Sequence, residues 1–378
     1  MNSSKILVTG GAGFIGSHLV LKLLSRGYDV TVLDNLLPLV HGKPDNSASY
    51  LSIKNKVRFI KGDIRNRKAW HSVLKNQNII VHLAAETGTG HSMYNIERYV
   101  DVNVRGTSLL LDILANGKNK VQKIIVASSR AIYGEGKYNC QEDGIVYPLQ
   151  RKESDMTKRV FDVKCPICNG ELQLLPTDEE SQLHPTSFYG VTKRSQEEMV
   201  MMVGKVLGIP FVALRYQNVY GPGQSLSNPY TGILSVFATR IKNGHDIDVY
   251  EDGKESRDFV YIDDVVDATV MSVESNAVNY ETLNVGSGVA TSVLKVAMTL
   301  KKVFKSSVKV KISGSYRIGD IRHNVADLTR IRSLLGYEPQ YDFTDGIKHF
   351  ADWVHKQPIA LDSYDRSIGE LKNLGLLK

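Results

Sequence analysis

The feature that most constrains the fold lies near the start of the chain, where an apolar run passes through a glycine-rich turn into an amphipathic stretch. The run is KILVTG, the turn GGAGFIG and the stretch SHLVLKLLSRG. Gly10, Gly13 and Gly16 fall in the turn, and Gly11, Gly13 and Gly16 also have the spacing G-x-G-x-x-G. Such glycines let the backbone approach a pyrophosphate at a helix N-terminus. The segment therefore predicts a strand, a phosphate-binding turn and a helix.

Short β-branched runs alternate with helical patterns through the first half of the chain, in the order DVTVLDN, VRFIKGD, NIIVHLAA and KIIVASS. Buried apolar strands separated by amphipathic helices predict an α/β fold with a doubly wound parallel sheet of the Rossmann type. After Pro222 the runs DIDVYEDG and VKVKIS alternate with longer helical patterns. We expect a Rossmann domain over 1–222 and a smaller α/β substrate-binding lobe over 223–378, with parts of 259–288 packing back on the first domain.

One segment, about 135–185, breaks this rhythm and predicts an insertion. It contains Cys165 and Cys168 in CPIC, and a Cys-x-x-Cys pair is half of many zinc sites. Cys140 and His184 flank the segment and could complete a Cys₃His set, although their spacing matches no standard zinc knuckle. Two reduced thiols in a β-turn are the simpler interpretation, and we expect no metal.

Composition limits the compartment and the kind of partner. The 378 residues contain three cysteines, which form no even-numbered disulfide framework and suit a reducing compartment. The chain shows no signal peptide and no apolar run long enough to span a membrane. Its net charge of +7 is spread along the sequence rather than gathered into a stripe. We therefore expect a cytoplasmic protein that binds a small anionic ligand and neither nucleic acid nor membrane.

The residues after the second predicted strand indicate which dinucleotide the turn would hold. Asp34 stands eighteen residues after Gly16, where an acidic side chain holds the hydroxyls of an adenosine ribose. Asn35, Leu36 and Leu37 follow, and none could neutralise a 2′-phosphate, so NAD is favoured over NADP. Asp34 could alternatively be a turn residue that caps the strand. Asp63, in the KGD turn, is a further candidate for the adenine end.

A candidate acid/base group lies in the helical pattern SFYGVTKRSQEEM. Tyr189 and Lys193 are four residues apart, so their side chains share one helix face. An adjacent ammonium favours the phenolate, and Lys193 could therefore lower the pKa of Tyr189. Ser129 ends the predicted strand KIIVASS and could hydrogen-bond the same substrate hydroxyl. A solvated helix face or a packed aromatic is the alternative interpretation of this spacing.

An ordered series of motifs extends this pattern along most of the chain: TGGAGFIGSH, LDN, GDI, HLAA, NVRGT, SSRAIYG, YGVTK, LRYQNVYGPGQ, RDFVYIDDVV, LNVGSG and RIGDIRH. The chain resembles the nucleotide-sugar epimerase/dehydratase family of extended short-chain dehydrogenases/reductases. The resemblance implies that Tyr189 is the general base, that Lys193 binds the nicotinamide ribose and that Ser129 assists at the sugar hydroxyl. It also implies a homodimer formed through the Tyr189 helix and the helix after Asn103.

The same resemblance implies two sets of contacts. The NAD-binding set is Gly10, Gly13, Phe14, Ile15, Gly16, Asp34, Asn35, Asp63, Ile64, Leu83, Ala84, Ala85, Asn103, Tyr189, Lys193 and Tyr216. The set facing a nucleotide-diphosphate sugar is Thr87, Ser129, Arg130, Tyr189, Asn218, Arg257 and Arg317. Within this second set the two last arginines would meet the diphosphate, which suits guanidinium chemistry.

Departures from the family pattern narrow the reaction. The 4,6-dehydratases of the family carry an acidic pair directly after the serine or threonine, and its decarboxylases keep a glutamate there. Arg130 and Ala131 occupy these positions and cannot act as carboxylate acids or bases. Removal and return of a hydride at C4 needs neither group, so 4-epimerisation is favoured.

The segment HLAAETGTGHSMY and the insertion resemble the dTDP-L-rhamnose 4-epimerases of the family. That resemblance implies the interconversion of dTDP-L-rhamnose and dTDP-6-deoxy-L-talose through a 4-keto sugar. A UDP-hexose 4-epimerase, a nucleotide-sugar 4-ketoreductase and a non-catalytic NAD-binding regulator are the alternatives.

Overall fold

A computed structural model describes residues 4–230 and 232–378 of the chain. Its strands are β1 Lys5–Thr9, β2 Asp29–Asp34, β3 Arg58–Lys61, β4 Ile79–His82, β5 Lys123–Ser129, β6 Tyr138–Cys140, β7 Gly144–Val146, β8 Leu172–Leu174, β9 Phe211–Tyr216, β10 Asn218–Tyr220, β11 Ile247–Val249, β12 Ser256–Tyr261, β13 Glu281–Val285, β14 Ala290–Ser292 and β15 Val310–Ile312. Its α-helices are α1 Phe14–Ser25, α2 Pro38–His41, α3 Ala48–Ile53, α4 Arg67–Leu74, α5 Thr89–Ser92, α6 Ile96–Tyr99, α7 Gly106–Asn116, α8 Glu153–Met156, α9 Phe188–Leu207, α10 Ile233–Lys242, α11 Ile262–Glu274, α12 Val293–Val303, α13 Thr329–Leu335, α14 Phe343–Lys356 and α15 Tyr364–Asn373.

The central element is a seven-stranded sheet in the order β13-β9-β5-β4-β1-β2-β3, in which every neighbouring pair is parallel. Because successive residues of a strand point to opposite faces, Ile6 and Val8 of β1 enter one core and Leu7 the other. Both faces are therefore apolar and covered. The predicted doubly wound parallel sheet is confirmed.

Helices cover the two faces in separate layers. Helices α1 and α11 pack together in the core on one face, and α4, α7 and α9 supply the core on the other. Trp70 of α4 is fully buried there, and its indole N–H donates to the Ile64 carbonyl at 2.6 Å. Within the described part of the chain, no helix combines the length and apolar character needed to cross a bilayer.

The C-terminal part of the chain builds a second lobe and also completes the main sheet. Strands β11 and β15 form a parallel pair, β10-β12-β14 form a short mixed sheet, and α10, α12 and α14 pack side by side. Strand β13 returns to the edge of the main sheet beside β9. The second lobe thus lies over the carboxyl ends of the parallel strands, where open α/β sheets bind ligands.

The segment that interrupts the α/β pattern folds into a small antiparallel sheet, β7-β6-β8. Its cysteines come together beside Asp143. His184 does not complete this group as the sequence suggested, because its ring hydrogen-bonds the Gln182 side chain at 2.9 Å instead. The fourth member of the group is Asp143, because the tight connection between β6 and β7 turns its carboxylate back toward Cys140.

Candidate active site

Two adjoining cavities open between the main sheet and the second lobe. The larger, of about 440 Å³, lies across the carboxyl ends of β2 and β5 and the turn after β1. The smaller, of about 190 Å³, is lined mainly by the second lobe. Arg130, Asn218 and Tyr230 contribute to both walls. The two cavities form one continuous cleft, which suits an elongated ligand pair rather than a single compact molecule.

The glycine-rich turn forms the floor of the larger cavity, and two of its glycines have no room for a side chain. Gly10 has a φ of +69°, and a Cβ there would lie 2.9 Å from the backbone nitrogen of Ala84. A Cβ on Gly16 would lie 2.2 Å from the carbonyl oxygen of Gly10. Helix α1 begins directly after this turn, so its unpaired N–H groups face the cavity. The turn can therefore hold a pyrophosphate against the helix N-terminus.

Two carboxylates lie at one end of the larger cavity. Asp34 ends β2 and accepts backbone N–H groups from Ala12 at 3.0 Å and Leu36 at 2.9 Å. These bonds fix the carboxylate but leave each oxygen able to accept a further hydrogen bond. Asp63 accepts from Arg65, whose guanidinium holds the pKa of Asp63 well below its ordinary value. The Arg65 guanidinium keeps Asp63 charged, and both side chains line the end of the cavity where an adenosine would lie.

The predicted acid/base group lines the larger cavity, together with Arg130, which lines both cavities. Tyr189 and Lys193 project from the first turns of α9, whose N-terminus is capped by the Ser187 hydroxyl. Lys193 Nζ donates to the Ala127 carbonyl at 2.8 Å. Ser129 stands at the end of β5 on the same cavity wall. A strand end and a helix start thus bring together residues sixty positions apart in the chain.

The groups that act on the pKa of Tyr189 differ from the one that the sequence predicted. Burial raises the pKa of Tyr189, and the Ser129 hydroxyl and the Arg130 guanidinium oppose that rise. Burial also lowers the pKa of Lys193 to about 7. The groups that favour the phenolate are therefore Ser129 and Arg130, whereas the spacing predicted Lys193, because the lysine is itself desolvated and turned toward Ala127.

The described residues that line the smaller cavity include three arginines, Arg130, Arg257 and Arg317, and four acidic residues, Asp248, Glu251, Glu255 and Asp320. Asp320 accepts from Arg257 at 2.9 Å and from Arg317 at 2.6 Å. Burial alone would raise the pKa of Asp320, but the two arginines hold it well below its ordinary value. Burial, followed by the neighbouring Arg257, lowers the pKa of Arg130 to about 10. The Glu251 carboxylate is already paired with Arg151 and Arg322. The three guanidinium groups around Asp320 are therefore the part of this wall that can bind an anionic ligand.

The two predicted diphosphate arginines differ in how many of their donors are free. Arg257 gives its terminal nitrogens to Asp320 and to the carbonyls of Ser256, Ile321 and Arg322. Arg317 bonds Asp320 through one terminal nitrogen and stacks over Tyr250 at 5.5 Å. Its buried Nε has no partner among the described residues. The unsatisfied donor makes Arg317 the better candidate to meet a ligand anion.

Most of the predicted NAD-binding residues line the larger cavity: Gly10, Gly13, Phe14, Ile15, Gly16, Asp34, Asn35, Asp63, Ile64, Leu83, Ala84, Ala85, Tyr189, Lys193 and Tyr216. Of the predicted sugar-facing residues, Thr87, Ser129, Arg130, Tyr189 and Asn218 line that cavity, and Arg130, Asn218, Arg257 and Arg317 line the smaller one.

Asn103 is the predicted cofactor contact that lies behind the cavity wall. Its amide accepts the Glu86 N–H at 2.7 Å and donates to the Glu86 carbonyl and the Thr192 hydroxyl. It sits in a π-helical turn, Val100–Arg105, between α6 and α7. The Asn103 side chain therefore spends its oxygen and both amide hydrogens on Glu86, in the loop ETGTG, and on Thr192 of α9. Asn103 therefore positions the ETGTG loop rather than touching the cavity.

Sequence reasoning missed a polar cluster at the mouth of the cleft. The hydroxyl of Tyr230 donates to Glu370 of α15 at 2.5 Å, and that of Tyr94 donates to the same carboxylate at 3.2 Å. His91 stacks on Tyr230 with ring centroids 4.4 Å apart. These residues lie far apart in the sequence and form no local motif. Only the fold brings the last long helix over the ETGTGHS loop.

The motif order and the cleft agree with one protein family. Residues 6–163 and 168–286 match the NAD dependent epimerase/dehydratase family. The chain belongs to this family. It is accordingly an NAD-dependent enzyme.

Several relatives that match over most of the chain are sugar-nucleotide epimerases. The dTDP-L-rhamnose 4-epimerase of Burkholderia thailandensis is 37% identical over 94% of this chain and 96% of that protein. The UDP-glucose 4-epimerase of Lacticaseibacillus casei is 31% identical over 93% of this chain and 97% of that protein. Among solved structures, the UDP-glucuronic acid 4-epimerase of Bacillus cereus, in complex with UDP-glucuronic acid and NAD, superposes with a TM-score of 0.76 at 28% identity, covering 93% of this chain and 99% of that one.

Proposed function

We propose that this epimerase interconverts dTDP-L-rhamnose and dTDP-6-deoxy-L-talose by inverting the sugar at C4. The observation that carries the proposal is that Tyr189, Lys193 and Ser129 line the same cavity as the glycine-rich turn, and that this cavity adjoins the arginine-lined one. The Burkholderia thailandensis relative, with the same activity in its name, supports the choice of sugar.

The larger cavity fits the cofactor that the family uses. The turn at Gly10 and Gly16 leaves space for a pyrophosphate where any side chain would collide, and Asp34 is held so that it can accept from ribose hydroxyls. When bound, NAD supplies the hydride acceptor and donor for C4, so the sugar passes through a transient 4-keto form. Lys193, at the same wall, would hold the nicotinamide ribose.

Tyr189 would move the proton at the reacting oxygen. Its hydroxyl, in the phenolate form, would take the proton from O4 as the C4–H bond breaks, and would return it when the alcohol re-forms. Ser129 would hydrogen-bond the same oxygen. Because burial disfavours the phenolate, the neighbouring Arg130 guanidinium would provide part of the charge that this form requires.

Inversion also requires the sugar to turn while its nucleotide stays bound. Arg317, with its free Nε, would grip the diphosphate, and Asp320 would hold Arg317 and Arg257 in place. The grip would fix the diphosphate and leave the ring free to present either face to the cofactor. Charge-assisted bonds to phosphate oxygens suit this task because they are strong and directional.

Other reactions of the family fit the site less well. Dehydration needs acidic groups beside Ser129, and Arg130 and Ala131 are there instead. A non-catalytic regulator has no use for an assembled acid/base group. A UDP-hexose 4-epimerase and a 4-ketoreductase use the same side chains and need to be separated by experiment.

A substrate panel followed by proton NMR tests the proposal. Purified protein without added cofactor should convert dTDP-L-rhamnose into its C4 epimer faster than it converts UDP-glucose or UDP-glucuronic acid. Conversion of UDP-glucose alone would replace the substrate assignment. Oxidation of dTDP-L-rhamnose to the 4-keto sugar only when a stoichiometric amount of NAD⁺ or NADP⁺ is added, with release of NADH or NADPH, would favour the ketoreductase.

We also propose a cytoplasmic homodimer in which α9 and α7 meet their counterparts. Val191, Met202 and Val206 are exposed along one face of α9, and such a stripe is unfavourable in water. Light scattering should give twice the chain mass at micromolar concentration, and Met202→Glu should shift the protein toward monomer. A monomeric wild type would contradict this assembly.

A further inference from the structure

The inserted sheet gathers the three cysteines of the chain and one carboxylate. The ligand atoms of Cys140, Asp143, Cys165 and Cys168 all lie within 4.8 Å of one another. The sulfurs of Cys140 and Cys168 are 3.5 Å apart, and Asp143 Oδ2 lies 3.4 Å from the sulfur of Cys140 and 3.0 Å from that of Cys165. None of these four residues belongs to the proposed catalytic group of Ser129, Tyr189 and Lys193.

These separations match those between the ligands of one tetrahedral metal ion. With metal–sulfur bonds of about 2.3 Å and metal–oxygen bonds of about 2.0 Å, tetrahedral angles put two sulfurs about 3.8 Å apart and a sulfur and an oxygen about 3.5 Å apart. The observed distances lie slightly below these values. A small outward movement of the side chains would admit the ion.

The backbone around Cys165 and Cys168 has the form expected of a metal-binding turn. The N–H of Ile167 points to the sulfur of Cys165 at 3.5 Å, and the N–H of Gly170 points to the sulfur of Cys168 at 3.4 Å. Each donor lies two residues after its cysteine. Backbone N–H groups in these positions can donate to the sulfur ligands of a bound metal ion.

The sequence supplies the ligands as two matched pairs, Cys140-x-x-Asp143 and Cys165-x-x-Cys168. The first pair lies at the turn between β6 and β7, and the second lies before β8. Two turns that each carry two ligands at this spacing are typical of structural zinc sites. His184 is not needed to complete the set.

The small sheet also lacks the apolar core that would hold it without a metal. Its three strands have three residues each, and its buried core consists of Tyr138, Cys140, Val146, Val163 and Cys165. Two of those five are ligand candidates. Units this small are usually stabilised by disulfides or metals, and all three cysteines are free thiols in this structure.

The insertion packs against the second lobe, so a metal ion that made it rigid would also stabilise this contact. Between its two ligand pairs the chain carries Arg151, which bonds Glu251 at 2.7 Å and the Asp320 carbonyl at 3.0 Å. The same stretch packs Met156 and Phe161 against Tyr316. The contact of Arg151 reaches two residues that line the arginine-lined cavity, and Tyr316 is next in sequence to a third, Arg317.

We propose that Cys140, Asp143, Cys165 and Cys168 bind one structural zinc ion that fixes the inserted sheet against the second lobe. Three thiolates select a soft or borderline cation, and four protein ligands leave no open position for catalysis. The carboxylate gives the site three sulfurs and one oxygen.

Metal analysis of the full-length protein, purified without chelator, tests this proposal. Wild type should contain about one equivalent of zinc per chain, and Cys168→Ser, which alters an exposed ligand, should contain less than about a tenth. Asp143→Asn should lose zinc at chelator concentrations that leave wild type loaded. Glu142→Gln removes the adjacent exposed carboxylate and should keep the full equivalent. Asp143→Cys, in contrast to Asp143→Asn, should hold zinc as tightly as wild type, because it supplies a fourth thiolate.

A second measurement separates loss of metal from loss of folding. Thermal unfolding of wild type should shift to lower temperature on chelation and recover when Zn²⁺ alone is returned to the reduced protein. Zinc below about a tenth of an equivalent in wild type, even after incubation with Zn²⁺, would overturn the proposal. A full equivalent in Cys168→Ser, iron in place of zinc, or a native Cys140–Cys168 disulfide would overturn it as well.

Discussion

Tyr189 is the side chain on which the proposed chemistry depends most. It lines the larger cavity together with Ser129 and Lys193, and burial raises its pKa while Ser129 and Arg130 oppose the rise. Replacing its hydroxyl with hydrogen removes proton transfer but little of the surface that binds the sugar nucleotide. Tyr189→Phe should therefore reduce turnover by about 10²–10⁴-fold and leave substrate affinity nearly unchanged.

The control for this variant removes the same atom from a tyrosine outside the cleft. Tyr138 is buried in the inserted sheet, and its hydroxyl has no hydrogen-bond partner in the described structure. Tyr138→Phe should keep wild-type turnover. Steady-state rates and substrate titrations on both variants give the comparison, and near-normal turnover in Tyr189→Phe would remove that residue from the mechanism.

The two arginines on Asp320 should fail in different ways. Arg317→Ala removes the unpartnered Nε donor and should raise KM by about ten- to a hundred-fold. It also removes one hydrogen bond to Asp320, so the melting temperature should fall, but by less than in Arg257→Ala. Arg257→Ala should also weaken substrate binding, but it leaves three carbonyls and Asp320 without their donor and should lower the melting temperature too.

Arg366→Ala is the matched control for these arginine variants. Arg366 is exposed, and its single ion pair among the described residues is a long one, 3.8 Å to Glu370. Steady-state kinetics and thermal melts on the three variants separate the effect on substrate binding from the effect on stability. Equal KM values for Arg317→Ala and wild type would show that the diphosphate is held elsewhere.

At the scale of elements, the glycine turn and the start of α1 work as one unit. Gly16 lies in the first turn of the helix, and a Cβ there would meet the Gly10 carbonyl at 2.2 Å and the Gly11 Cα at 2.7 Å. Because both atoms are backbone, the turn would have to open. Gly16→Ala should therefore release NAD during purification, so that turnover requires added cofactor.

Gly369 offers a control for that substitution, since it lies in α15 with nothing near its missing Cβ. Gly369→Ala should retain NAD as wild type does. The absorbance of cofactor released on denaturation provides the measurement. Full retention in Gly16→Ala would contradict the role given to the turn.

Several elements could be predicted from the sequence because their patterns are local. The apolar runs at β1, β2 and β5 and the helix that carries Tyr189 all follow from periodicity and from glycine or serine at their ends. Asn103 and Asp143 were beyond such reasoning. The role of Asn103 depends on the Glu86 backbone, and that of Asp143 on a sheet formed by strands distant in the sequence.

At the scale of the whole molecule, the chain divides the reaction between two parts. The main sheet provides the turn, the carboxylates and Tyr189, and the second lobe provides Arg257 and Arg317. The cluster of Tyr230 and Glu370 closes the mouth between them. A cofactor held deep beneath such a cleft should remain bound through many turnovers, while the sugar nucleotide exchanges through the second lobe.

The fate of the C4 hydrogen tests this account most directly. With dTDP-L-rhamnose deuterated at C4, the hydride that leaves should return to the same carbon from the other face, because the cofactor never departs. Proton NMR and mass spectrometry should find the deuterium at C4 of the product, dTDP-6-deoxy-L-talose, with none in the solvent or in a pool of added NAD. Deuterium recovered in free NADH would contradict the account.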